Sequence, residues 1–177
     1  MRIIGGSHAG LRLHPPITLP VRPTTDMAKE ALFNVLQNRI DFDGMKGLDL
    51  FSGTGNIAFE LASRGATSVI AVDIHFKCMQ YVNATAKKLD IAAIKAIRAD
   101  ALKFISSCKD EFDFIFVDPP YELPQLPQIP DRIFDRGLLR SGGWLVLEHA
   151  STRKITEHAN LVESRKYGYS TFSFYQV

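Results

Sequence analysis

With 177 residues, 46% of them hydrophobic, the chain is long enough to bury a full core as one domain, and no apolar run approaches the ~20 residues of a membrane span. Cys78 and Cys108 stand alone, with neither the pairs of a disulfide framework nor zinc-site spacing, so a protein of the reducing cytoplasm that needs no metal and no membrane is expected. The net charge of +2 is unevenly spread: residues 1–46 and 151–177 are each +2 and the centre is −2. Arg2, Arg12 and Arg22 precede the first acid, Asp26, and form a basic arm suited to a polyanionic partner.

Residues 1–22 alternate loosely, with Gly5-Gly6 and Pro15-Pro16 as breakers, and predict a short hairpin. A helix follows to about Ile40, capped by Thr24 or Thr25, with Ala31, Leu32, Val35 and Leu36 on its apolar face. From Gly47 onward, expected strands at 46–51, 68–73, 94–99, 113–118 and 144–149 alternate with helices near 56–64, 76–89, 101–107 and 130–140. These strands are short and almost wholly apolar, as when helices cover both faces of a sheet. A weak helix after Thr152 and a terminal antiparallel pair around Tyr167-Gly168-Tyr169 complete the reading. The fold class is therefore α/β, Rossmann-like, with a mostly parallel, doubly wound sheet and an antiparallel edge strand. Residues 1–23 form its basic hairpin extension and 24–177 its catalytic body.

Asp49, Phe51, Ser52, Gly53, Thr54 and Gly55 lie where the first of these parallel strands runs into a glycine-rich turn that opens a helix. The glycines admit a ligand to the backbone, and the helix start presents free N–H groups. Asp73 ends the next strand, where an acid accepts from ribose hydroxyls, and Asp100 ends the one after. With Ile74 and Ala101 beside them, they complete the candidate cofactor residues. Gly53-x-Gly55-x-x-Ala58 also fits the dinucleotide pattern, but Asp49 would repel a pyrophosphate. S-adenosylmethionine (SAM), which has no phosphate and carries an ammonium, suits these carboxylates better. Helix capping is the competing role for Asp73 and Asp100.

Asp118-Pro119-Pro120-Tyr121 follows the fourth of these strands. An acid and a proline carbonyl can accept both hydrogens of an exocyclic amine, proline fixes the backbone, and tyrosine can stack on the ring. This order of motifs resembles the amino methyltransferases that carry [D/N]-P-P-[Y/F/W]. Nearly the whole chain resembles the RsmD-type 16S rRNA (guanine-N2)-methyltransferases. The matching pieces are Arg2-Ile3-Ile4-Gly5-Gly6, Arg22-Pro23-Thr24-Thr25-Asp26, Lys29-Glu30-Ala31-Leu32-Phe33-Asn34, Leu48 to Gly55, Phe116 to Tyr121 and Leu145 to His149. The resemblance implies SAM as cofactor, the four motif residues as catalytic, and 16S rRNA within the small ribosomal subunit as partner. Arg2, Arg12, Arg22 and Thr24 are the candidate RNA contacts. An adenine-N6 methyltransferase of DNA or RNA is the alternative, since the motif does not distinguish purines. A non-catalytic RNA-binding or assembly protein is the second. Pro124, Pro127 and Pro130 read as a stiff flap, and His149 as a structural histidine.

Overall fold

The computed structural model describes residues 1–21 and 24–177; Arg22 and its expected RNA contact lie outside the described residues. Helix α1 (Asp26–Leu36) is capped by Thr25, whose Oγ1 accepts from the Ala28 N–H at 3.2 Å. Strands β1 (Lys46–Leu50), β2 (Ser68–Asp73), β3 (Ile94–Arg98) and β4 (Phe112–Val117) alternate with α2 (Asn56–Ser63), α3 (Phe76–Lys88) and α4 (Ala101–Ser107). Helix α5 (Ile129–Asp135) leads into β5 (Leu139–Ala150), and β6 (Leu161–Tyr167) with β7 (Ser170–Gln176) close the chain.

The seven strands form one sheet in the order β3-β2-β1-β4-β5-β7-β6. β1 to β5 pair in parallel, and β7 runs antiparallel between β5 and β6. Alternate residues of each strand enter opposite cores. Phe114, Phe116 and Val146 join the hairpin, α1, α2 and α3 on one face; Ile115, Val117, Leu145 and Leu147 meet α4 and α5 on the other. That division makes the sheet doubly wound, and it explains why the central strands are apolar throughout.

Chain order reverses between β1 and β4, which makes the crevice beyond their C-terminal ends the topological switch point of the sheet. Register then lines up the site. Leu50 lies opposite Val117, and Val117 opposite Leu147, so Phe51, Asp118 and Glu148 follow one another across three strand ends.

Three expectations need correcting. Residues 153–158, within the expected weak helix, form neither helix nor strand. Their side chains serve tertiary contacts instead: the Arg153 guanidinium donates to the Tyr121, Leu123 and Pro124 carbonyls, and the His158 ring stacks on Phe134 at 4.5 Å. The helix expected to Arg140 stops at Asp135 because Gly137 turns the chain with φ +63°. β5 consequently begins at Leu139 and not at 144, with a bulge near Gly142 and Gly143 absorbing the early start. The N-terminal hairpin is loose, with one antiparallel bridge, between Arg2 and Arg12, among the described residues.

Candidate active site

At the end of β1 the backbone turns tightly through left-handed φ values at Phe51 (+59°), Gly53 (+54°) and Gly55 (+78°). For Phe51 this conformation is strained, and the surrounding bonds hold it there. Buried Asp49 braces the turn from below. Its Oδ2 accepts from the Ser52 hydroxyl at 2.7 Å and the Ala58 N–H at 3.1 Å. Burial pushes its carboxyl up to about 7, with Asp73 adding to the rise and the two hydrogen bonds opposing it. A Cβ at Gly55 would come within 2.9 Å of Val82 and 3.1 Å of the Phe59 ring. Gly55→Ala therefore combines a disfavoured φ with a clash and is expected to cost about 1–3 kcal/mol, read as a lowered thermal midpoint.

Asp73 accepts the Gly53 N–H on Oδ2 at 2.9 Å, and the His75 N–H and Nδ1–H on Oδ1 at 2.9 and 2.8 Å. Beyond it, Ile74 and Phe76 leave 55% and 58% of their surface exposed, an apolar rim of a size to flank a purine ring. Asp100 caps α4, its Oδ1 accepting from the Lys103 N–H at 2.9 Å, with Ala101 buried behind it. Carboxylates, backbone N–H groups and an apolar rim form a donor set that fits a nucleoside bearing an ammonium without a phosphate, which is the character of SAM.

Asp118 is tied to this turn by its own backbone, since its N–H donates to the Leu50 carbonyl at 3.3 Å. Its half-buried carboxyl is held well above the usual carboxylate range by burial, by Glu148 and by Asp49. Pro119 is buried and Pro120 exposed. The Tyr121 hydroxyl donates to Glu148 Oε1 at 3.1 Å and lies 2.5 Å from Ser170 Oγ, which anchors the ring by its far end. Burial, with Glu148 contributing, pushes that phenol up to about 12, so it stays protonated. His149 has both ring nitrogens engaged, Nδ1 with the Ala150 carbonyl and Nε2 with Ser173 Oγ, each at 2.9 Å, and burial pushes its pKa down. It is a structural histidine.

The candidate RNA contacts are placed less simply. Arg2 and Arg12 face each other across the hairpin, but the Arg2 guanidinium leans toward Glu30 at 3.9 Å, while Arg12 is exposed. The Thr24 carbonyl accepts from Asn56 Nδ2 at 3.1 Å, which ties the start of α1 to the turn.

Some features are absent from the sequence reading. Lys29 is fully buried: its ammonium donates to the Arg2 carbonyl, to Asn56 Oδ1 at 2.8 Å and to Glu60 Oε2 at 3.1 Å. Glu60 also accepts from the Ile4 and Gly5 N–H groups at 2.8 Å and from Arg64 Nε at 2.9 Å. This knot fastens the hairpin, α1 and α2 together under the cofactor turn, while Val21 covers Gly53 and Thr54 Oγ1 donates to Met1 Sδ at 3.4 Å. Asp73, His75 and Cys78 bring their donor atoms within 4.8 Å of one another. Within this cluster the His75 ring is bonded to Asp73 Oδ1, and Asp73 Oδ2 accepts from the Gly53 N–H.

The sequence model of the family described as Conserved hypothetical protein 95 matches residues 1–176. A putative rRNA methyltransferase, YlbH, of Bacillus subtilis is 36% identical over 99% of this chain and 98% of its own length. Ribosomal RNA small subunit methyltransferase D of Escherichia coli is 30% identical over 84% of this chain and 71% of its own. The solved structure titled putative methyltransferase yhhF, from Escherichia coli, superposes with a TM-score of 0.88 at 25% identity, covering 99% of this chain and 97% of that one. A 16S rRNA N2 G1207 methyltransferase (RsmC) of T. thermophilus, solved with AdoMet and guanosine, shares the fold with a TM-score of 0.71 at 20% identity, over 89% of this chain and 45% of that one. A sheet of this topology, an acid-braced glycine turn and Asp-Pro-Pro-Tyr beside it thus coincide with a match along the whole chain, which belongs to the RsmD-type methyltransferase family.

Proposed function

We propose that the chain transfers a methyl group from SAM to the exocyclic N2 amine of a guanine in small-subunit rRNA, with the ribosomal subunit presenting the base. The observation that carries this reading is the bond from the Asp118 N–H to the Leu50 carbonyl, which sets the amine-accepting motif against the cofactor turn. SAM, bound along Gly53, Asp73 and the Ile74–Phe76 rim, supplies a methyl group on a sulfonium leaving group.

The aromatic amine is a weak nucleophile because its lone pair is delocalised into the ring. Asp118 and the Pro119 carbonyl accept its two hydrogens, which favours a pyramidal nitrogen with its lone pair aimed along the line of displacement. The N–C bond forms as the S–C bond breaks, and the electron pair leaves with sulfur. The resulting cationic nitrogen is acidic and gives one proton to the ionised Asp118. Tyr121, held by Glu148 and Ser170, presents its ring to an extruded base.

Asp118 accepts best when ionised, so turnover is expected to rise with pH through the raised pKa of the carboxylates at this site. Glu148→Gln removes a like charge and should shift that rise to lower pH. A pH–rate profile reads the shift, and an unmoved midpoint would argue against the coupling.

The function itself is tested by offering labelled SAM with small subunits lacking the modification, naked rRNA and duplex DNA. Transfer to the subunit or to rRNA is the expected result. Transfer to DNA alone would support the adenine-N6 alternative, and saturable SAM binding with no transfer would support a non-catalytic role.

A further inference from the structure

A groove of about 430 Å³ opens between α1 and β6. Asn34 and Asn38 line one wall, with Arg39 beside them, and Arg165 and Tyr167 line the other. The groove is polar and cationic. Arg39 is held over the Trp144 and Phe174 rings at 5.0 and 5.3 Å and pairs with Glu163. Arg165 pairs with the same carboxylate at 3.1 Å, so two guanidiniums share one acid and the wall keeps a positive excess.

The groove leads to the catalytic motif. Tyr167 lies opposite Ser170 in the terminal hairpin, and Ser170 Oγ touches the Tyr121 hydroxyl at 2.5 Å. At the tip of that hairpin Tyr169 has 92% of its surface exposed, while its carbonyl is fixed by the Ser151 N–H at 2.8 Å. A tyrosine whose backbone is pinned and whose side chain is almost wholly exposed packs little against the fold, and its π-face is available to a partner.

Building on the rRNA reading, we infer that this groove and Tyr169 hold the RNA strand flanking the target base. The guanidiniums attract its phosphates, the Asn34 and Asn38 amides are placed to bond phosphate or 2′-hydroxyl oxygens, and Tyr169 stacks on a neighbouring base. Cations and amides with a single projecting aromatic favour a polyanion over an apolar protein surface. The hairpin thus couples RNA capture to Tyr121 through Ser170.

Tyr169→Ala and Asn34→Asp change exposed side chains that take no part in the catalytic or SAM-binding groups. Each is expected to raise KM for the unmodified small subunit about tenfold, Tyr169→Ala by losing one base–aromatic stack and Asn34→Asp by setting a carboxylate against the phosphates. SAM affinity, kcat and thermal midpoint should stay at wild-type values, and Tyr169→Phe should restore KM to within about twofold. Wild-type KM in both variants, with the wild type active, overturns the inference. If the wild type transfers no methyl group to the subunit, the proposed activity fails separately. Filter binding of labelled naked small-subunit rRNA then decides: weaker retention by both variants upholds the groove, and equal retention rejects it.

Discussion

Asp118→Ala is expected to reduce methyl transfer by about a thousandfold, because it removes an oriented acceptor on which both nitrogen geometry and proton loss depend. SAM affinity should stay within about threefold of wild type, since the cofactor turn is braced by Asp49 and Asp73 through bonds that do not involve the Asp118 side chain. Asp118→Asn keeps one acceptor oxygen and relieves the crowding of carboxylates that raises the Asp118 pKa. It should therefore fall between wild type and alanine. Single-turnover transfer and calorimetric titration with SAM separate these effects. Equal loss of transfer and SAM binding in the alanine variant would assign Asp118 to the cofactor instead.

The second large effect concerns stability. Lys29→Met leaves Glu60 buried with the hairpin N–H groups and Arg64 but without its ammonium partner. Breaking a buried pair from one side costs about 3–5 kcal/mol. At roughly 2–4 °C per kcal/mol for a chain of this size, the thermal midpoint should fall by about 6–20 °C. Burial lowers the Lys29 pKa, with Glu60 opposing the shift. Between the lowered folded value and 10.5 the unfolded state therefore binds the proton more tightly than the folded one. The lysine's contribution to stability grows as pH rises from the lowered folded value toward 10.5. Because the knot also fixes the hairpin that carries Met1 over the cofactor turn, SAM affinity should fall with it. An unchanged midpoint would show that the pair is dispensable.

Much of this architecture is legible in the chain because local and global preferences agree. β2 and α4 fall on the expected residues, one as an apolar run ended by an acid, the other as a helix capped by Asp100. The glycine turn was readable because left-handed backbone demands glycine at Gly53 and Gly55, whereas Phe51 shares that conformation with no sequence cue. Segments set by tertiary contacts were not readable: 153–158 yields a weak helical tendency to Arg153 and His158, whose partners are far away in sequence. The knot did leave a trace, for Lys29 shares a helix face with Leu32, Phe33 and Leu36, and Glu60 sits between Phe59 and Leu61. A charged residue on an apolar face signals a buried partner, but not which one. The Tyr121–Glu148–Ser170 contact depends on the register of β7 against β5, which no local pattern specifies.

Nucleoside analysis of rRNA from small subunits methylated by the wild-type chain tests the central claim most directly. A labelled methyl group recovered as N2-methylguanosine, and lost with Asp118→Ala, is the predicted result. Label recovered as N6-methyladenosine, or N2-methylguanosine formed equally well without the Asp118 carboxylate, would contradict it.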